Sequence, residues 1–248
     1  MDFEGRTAVV TGAASGIGRA TAEAFALGGA QVLLADIDEE HGEAVAAALC
    51  AQGGEATFIR VDLTDPASIE AFRQAAIKRC GKVDIVANVA GWGKTEPFVQ
   101  NTPEFWRRLV DLNFLGTVSM SRAFLDSMME RRCGKIVNVA SDAGRVGSLG
   151  ESVYSGTKGG VIAFSKALAR EVARYDITVN CVCPGPTDTP LMAAVPEKIR
   201  DAFARATPMR RLGRPQEVAD SILFFAGAHS NFVTGQVLSV SGGLTMAG

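Results

Sequence analysis

A chain of 248 residues that is 47% hydrophobic and 21% charged, with a formal net charge of -2, has the make-up of a globular protein able to bury a core. Such a balance offers no basic patch of the kind that neutralises nucleic-acid phosphates. Apolar runs such as "ILFFAGA" at 222–228 fall far short of the roughly 20 residues that span a bilayer.

The start "MDFEGRTAVV" has two acids and no basic region before its short apolar run, unlike a secretion signal, so a cytoplasmic protein is expected, without nucleic acid or membrane as partner. Five cysteines (Cys50, Cys80, Cys133, Cys181, Cys183) are read as reduced thiols. Cys181 and Cys183 form a C-x-C pair, but no second pair exists and His41 and His229 are remote in sequence, so no metal site is expected.

In chain order, "RTAVVT" (6–11) is a first apolar strand, followed by "TGAASGIG" with Gly12, Gly16 and Gly18 and a helical stretch at 16–28. Glycines there let the backbone turn tightly and approach a phosphate, leaving the helix N-terminus to receive the negative charge. A tight βα turn would account for one glycine but not three. "QVLLAD" (31–36) is the second strand and ends in Asp36, eighteen residues after Gly18, the context expected of a nucleotide site. A helix at 38–52 leads to the strand "ATFIRVD" (56–62), whose Asp62 suits either a loop acid or a contact to an adenine amino group.

Asp65-Pro66 caps a helix at 66–79, and the strand "KVDIVANVA" (82–90) follows, with Asn88 and "AGWG" beyond it. Thr102-Pro103 opens one long helix at 102–131, and "GKIVNVAS" (134–141) ends in Ser141. A helix at 152–174 carries "VYSGTKGG", then come the strand "ITVNCVCP" (177–184), Pro184-Gly185, a stretch at 189–214 that breaks the rhythm, a helix at 215–227 and the strand "GQVLSVSG" (235–242). Strands alternating with helices imply βαβ units: a single-domain, doubly wound parallel α/β sheet of the Rossmann type, with 189–214 as a lid over the site. In such sheets ligands bind beyond the carboxyl ends of the strands, where these glycines and polar residues gather.

Tyr154 and Lys158 stand four residues apart, on one face of a helix. A phenol with a pKa of about 10 serves poorly in proton transfer at neutral pH unless a neighbouring cation favours the phenolate. The pair therefore reads as an acid/base assembly without histidine, with Ser141 thirteen residues upstream.

TGxxxGxG, Asp36, "NVAG", Ser141, "YSGTK" and "PG", in this order across the whole chain, resemble the short-chain dehydrogenase/reductase family. The resemblance implies hydride transfer between a nicotinamide cofactor and an alcohol or ketone carbon. Tyr154 would be the acid/base, Lys158 would lower its pKa and hold the nicotinamide ribose, Ser141 would bond the substrate oxygen, and Asn113 would help hold a water beside the lysine. It further implies cofactor contacts from Ser15, Ile17, Gly91 and Thr189. Val89 stands where the family usually has a second Asn.

"ASDAGRVGSLGESVYSGTKGG" is similar to dehydrogenases of alicyclic hydroxyacyl-CoA degradation, which would put Trp92, Arg145, Val146, Glu151 and Met192 in the substrate pocket. Arg145, Arg210 and Arg211 are candidates for an anionic part of the substrate. An NAD-dependent secondary-alcohol dehydrogenase is the main expectation. A 3-oxoacyl-thioester reductase is the alternative, and a catalytically dead nucleotide sensor is disfavoured because Ser141, Tyr154 and Lys158 are all kept. NAD is expected over NADP because Asp36 would accept both ribose hydroxyls and repel a 2′-phosphate. Ser15 occupies a place where phosphate-preferring members often carry Arg or Lys, and Arg19 should point away. The resemblance and the two long helices also suggest a homotetramer.

Overall fold

A computed structural model describes residues 2–246. Seven strands alternate with helices: β1 (Thr7–Thr11), α1 (Gly16–Leu27), β2 (Gln31–Asp36), α2 (Glu39–Ala51), β3 (Glu55–Arg60), α3 (Pro66–Cys80), β4 (Ile85–Asn88), α4 (Pro103–Val110), α5 (Gly116–Arg131) and β5 (Gly134–Val139). The chain continues through α6 (Ala143–Val146), α7 (Ser152–Val172), β6 (Ile177–Pro184), α8 (Pro190–Ala193), α9 (Glu197–Ala206), α10 (Pro215–Ala226) and β7 (Val237–Val240). All strands run parallel in the order β3-β2-β1-β4-β5-β6-β7, so the direction of winding reverses between β1 and β4. This is the expected single-domain Rossmann-like α/β fold. None of the helices among the described residues is long and apolar enough to cross a membrane.

Side-chain alternation along the strands separates two cores. Val10, Val32 and Leu34 pack with Phe25 of α1, Leu49 of α2 and Ile222 of α10. Val9, Leu33 and Ile136 face the other way, onto Phe72 of α3, Phe124 of α5 and Leu168 of α7. Parallel strands covered on both sides need apolar residues at successive positions, which is why β1 and β6 are buried along their whole length.

Capping confirms several boundaries. Asp65 accepts from Ala67 N and Thr102 from Phe105 N, each before a proline at the first helical position. The Glu217 carboxylate accepts from Arg214 N at 2.8 Å and so starts α10.

The helix expected over 102–131 is interrupted. A π turn at Asp111–Leu115 separates α4 from α5, inserting an extra residue that no hydrophobic period announces. β3, β4 and β5 also end two residues or so before the expected points, because the chain leaves the ladder to form loops at the site. The irregular 189–214 stretch contains α8 and α9.

Candidate active site

A cleft of about 1340 Å³ opens at the carboxyl ends of the strands. Its floor is the turn from β1 to α1. Gly12 and Gly16 have φ of +68° and +52°, where a side chain would strain the backbone. A Cβ on Gly18 would lie 2.0 Å from Gly12 O, so this glycine lets α1 pack against the turn. Ser15, the N-cap, makes no capping bond, so the first N–H groups of α1 keep their donors for an anion. Asp36 closes the end of β2: Oδ2 accepts from Ala14 N at 2.9 Å and Oδ1 from Asp38 N at 3.1 Å, which fixes the carboxylate beside the glycine turn. These features fit a dinucleotide, with its pyrophosphate at α1 and its ribose at Asp36.

Gly12, Ser15, Gly16, Ile17, Gly18 and Asp36 line the cleft, as do Asp62, Gly91, Pro184, Gly185 and Thr189. Asp62 is also a turn acid: it accepts from the backbone and hydroxyl of Thr64, and these bonds lower its pKa. Asn88 is elsewhere. It is 2% exposed, lies behind the cleft wall, and donates to Ser121 Oγ and Asn138 Oδ1, while Asn138 donates onward to Ser165 Oγ. The expected cofactor contact at Asn88 is thus a polar rung joining β4, β5, α5 and α7. Thr11 Oγ1, accepting from Val89 N and Ala90 N, holds the next loop instead.

Ser141, Tyr154 and Lys158 meet in the cleft. Burial pushes the Tyr154 phenol up to about 12 against the opposing pull of the Ser141 hydroxyl, with Glu151 and Cys183 adding to the rise. The expected depression by Lys158 is not what the geometry gives. Lys158 Nζ lies 5.9 Å from the Tyr154 ring centre, donates to Val139 O at 2.9 Å, and is itself pushed down to about 8 by burial. Gly91 comes close to this amine, since a Cβ there would be 3.0 Å from Nζ.

Asn113 sits in the π turn, fully buried. Its Oδ1 accepts from Trp92 N and its Nδ2 donates to Trp92 O, both at 2.8 Å, while its own carbonyl accepts from Thr117 Oγ1. The side chain therefore clasps the loop after β4 and does not line the cleft.

Of the expected substrate residues, Trp92, Val146, Glu151 and Met192 line the cleft with Ser141. Arg145 does not. Its guanidinium donates to Ser239 Oγ, which in turn donates to Asp142 Oδ1, and it faces a separate cavity beside α7 and β7. Arg210 donates to Arg205 O, and Arg211 pairs with Glu217 at 2.6 Å; neither reaches the cleft. Arg19 pairs with Glu23 along α1, turned from the glycine loop as expected. Sequence reasoning missed Arg108, Leu112 and Asp142 in the cleft wall, and Ile199 and Phe203 of α9. Asp142, next to Ser141, and Ile199 and Phe203, inside the expected lid at 189–214, had a signal in their positions; Arg108 and Leu112 had none.

A family model described as enoyl-(acyl carrier protein) reductase matches residues 12–245. The chain belongs to the short-chain dehydrogenase/reductase family. It is therefore an oxidoreductase of a family that uses a nicotinamide cofactor. This family member is 37% identical to 3-oxoacyl-[acyl-carrier-protein] reductase FabG of Escherichia coli (strain K12) over 246 residues, covering 99% of this chain and 100% of that protein. It is equally 37% identical to the (2S)-[(R)-hydroxy(phenyl)methyl]succinyl-CoA dehydrogenase subunit BbsD of Thauera aromatica, covering 99% of each. Among solved structures, a 3-oxoacyl-[acyl-carrier protein] reductase from Brucella melitensis superposes with a TM-score of 0.92 at 38% identity, covering 99% of this chain and 93% of that one. A variant of the actinorhodin polyketide ketoreductase with NADPH gives 0.93 at 35%, covering 96% and 97%.

Proposed function

We propose that the chain interconverts a 3-oxoacyl thioester and its 3-hydroxyacyl counterpart, with NAD(H) as the hydride partner. The observation that carries the reaction is that Ser141, Tyr154 and Lys158 line one cleft whose other end is the glycine turn and Asp36. The names of FabG and BbsD, one an acyl-carrier-protein substrate and one a CoA ester, support the thioester class over an unspecified secondary alcohol. When bound, the nicotinamide supplies or takes the hydride at the carbonyl carbon. Tyr154 gives its hydroxyl proton to the ketone oxygen in reduction and takes it back in oxidation, and Ser141 steadies that oxygen by a hydrogen bond. Lys158 holds the cofactor ribose, and Asn113 positions the Trp92 wall. The 189–214 segment acts as the lid over the acyl chain, through Met192, Ile199 and Phe203.

NAD is favoured because the fixed Asp36 carboxylate keeps lone pairs for the two ribose hydroxyls and would repel a 2′-phosphate. Arg60, in register with Asp36 on β3, does not line the cleft. The polyketide ketoreductase was solved with NADPH, so cofactor choice is the point to test. kcat/KM for 3-oxobutanoyl-CoA reduction should be higher with NADH than with NADPH, and Asp36→Ala should narrow the gap chiefly by weakening NADH. Equal values in the wild type would remove Asp36 as the determinant. Assembly as a cytoplasmic homotetramer, through α5 and α7, belongs to the same proposal, and a monomer mass by light scattering would refute it.

A further inference from the structure

The cleft wall beside Tyr154 contains a cation that the proposed chemistry does not use. Arg108, on the last turn of α4, lines the cleft, and its guanidinium carbon stands 3.9 Å from the centre of the Trp92 ring. Trp92 is itself held rigidly. Its backbone N–H and C=O are both bonded by the Asn113 side chain, and its ring meets Phe105 edge-on at 5.7 Å. The following residue, Gly93, lies against Tyr154, where a Cβ would be 3.0 Å from the phenol ring. Arg108 forms no ion pair with any acid among the described residues, whereas its neighbour Arg107 faces Glu104. Stacking on an aromatic ring fixes the guanidinium plane and leaves its edge N–H donors free. A planar fork of donors on a rigid platform, at the exposed rim of a reaction cleft, is the geometry that receives an oxyanion in two parallel hydrogen bonds.

We infer that Trp92 and Arg108 form an anion subsite that binds a carboxylate or phosphate carried by the substrate. Arg145, Arg210 and Arg211 are engaged away from the cleft, so this role passes to a residue that sequence reasoning overlooked. The inference rests on the thioester reading only for its choice of substrates. The anion has two sources, a carboxylate within the acyl group or the phosphates of the thioester carrier.

Three substrates separate them: 3-oxobutanoyl-CoA, the uncharged 3-oxobutanoyl N-acetylcysteamine thioester, and an N-acetylcysteamine thioester of a 3-oxo dicarboxylic acid. Losing charge-assisted bonds to an anion costs roughly ten- to a hundredfold in affinity. Arg108→Gln should therefore raise KM by about that factor for the anionic substrate and leave kcat and the uncharged substrate unchanged, with Arg108→Lys intermediate. An effect on the CoA ester alone assigns the phosphates; an effect on the dicarboxylic ester alone assigns the acyl carboxylate. Equal changes for charged and uncharged substrates, or none, overturn the subsite. Should the wild type turn over none of the three, the thioester reading fails, and binding decides the subsite by itself. Titrating tryptophan emission with CoA and with glutarate must then show weaker binding of one of them to Arg108→Gln than to the wild type. Identical or undetectable binding of both ligands overturns it.

Discussion

Tyr154 faces the cleft as a proton donor, because burial holds its phenol at about 12 against the pull of Ser141. That state suits reduction directly, whereas oxidation draws on a minority phenolate that grows about tenfold per pH unit. We expect ketone reduction to be nearly flat from about pH 6 to about pH 9, and alcohol oxidation to climb by close to a factor of ten per unit over the same range. Initial rates in both directions check this, and a flat oxidation profile would take Tyr154 out of the proton path. Tyr154→Phe should lower turnover by at least about a thousandfold while NADH binding, followed by fluorescence, stays within about threefold, since general acid–base groups contribute on this scale. Lys158 gives a stability signature of opposite sign. Its folded value of about 8 lies below the ordinary 10.5, so between those values the unfolded chain holds the extra proton and stability rises with pH. Tyr154 acts mostly at higher pH, overlapping the top of that window: its contribution is present below 10.0 and lost as pH rises towards about 12. The melting temperature of the wild type relative to Lys158→Met should increase from pH 8 to pH 10. A constant difference would mean that the amine is not desolvated as the fold implies.

The π turn between α4 and α5 shows how one irregular element serves the site. The extra residue turns Asn113 inward, where its amide ties the α4–α5 junction to the loop after β4. Asn113→Ala leaves a half-buried N–H and C=O of Trp92 without these partners and should cost about 1 kcal/mol in urea unfolding. Because Trp92 carries Arg108, the same variant should also raise KM for anionic substrates. Stability unchanged within error would show that Trp92 finds other partners. Gly18→Ala is a second test at this scale. With Gly12 O only 2.0 Å from the added carbon, α1 must shift from the turn, and NADH affinity should fall with stability. The strands and caps could be read in the sequence because burial on both faces and proline-marked helix starts depend on local composition. The π turn could not, since the apolar residues of 102–131 continue through it without a change of period. Asn88 was misplaced for a related reason: a polar residue at a strand end suits a cofactor contact or a buried rung, and only the packing of α5 and α7 distinguishes them. Arg108 and Trp92, sixteen residues apart, become partners only when the loop after β4 folds against α4.

At the scale of the molecule, the two ends of the sheet have different tasks. The carboxyl ends hold the cleft, and the amino ends are tied together by Asp84, whose side chain is 1% exposed. Asp84 accepts from Thr7 N at the start of β1, from Arg131 of α5 at 2.7 Å and from Lys82 at 3.2 Å, so one carboxylate joins β1, β4 and α5 beneath the core. Burial pushes its pKa up, but the bonds from Thr7 N, Arg131 and Lys82 together prevail, and the net shift is downward. A carboxylate lowered in this way contributes stability that is present above its ordinary value of 3.8 and is lost as pH falls through the depressed one. Arg131→Ala removes the guanidinium that donates one N–H to Asp84 Oδ1 and another to Val83 O, and leaves Lys82, nearly half exposed, as the remaining countercharge among the described residues. Leaving a buried charge short of its partner should cost about 3 kcal/mol, at the lower end of the range for such losses because Lys82 remains. The acid-unfolding midpoint should move to higher pH, since the carboxyl then protonates more readily in the folded chain. Because this tie lies at the opposite end of the strands from Tyr154 and Asp36, kcat and the NADH constant of the folded variant at neutral pH should match the wild type. Unfolding curves taken between pH 3 and pH 7, beside steady-state rates at pH 7, separate the two effects. A fall in kcat with stability preserved would mean that the ends of the sheet are coupled, and that Asp84 does more than hold the strands in place.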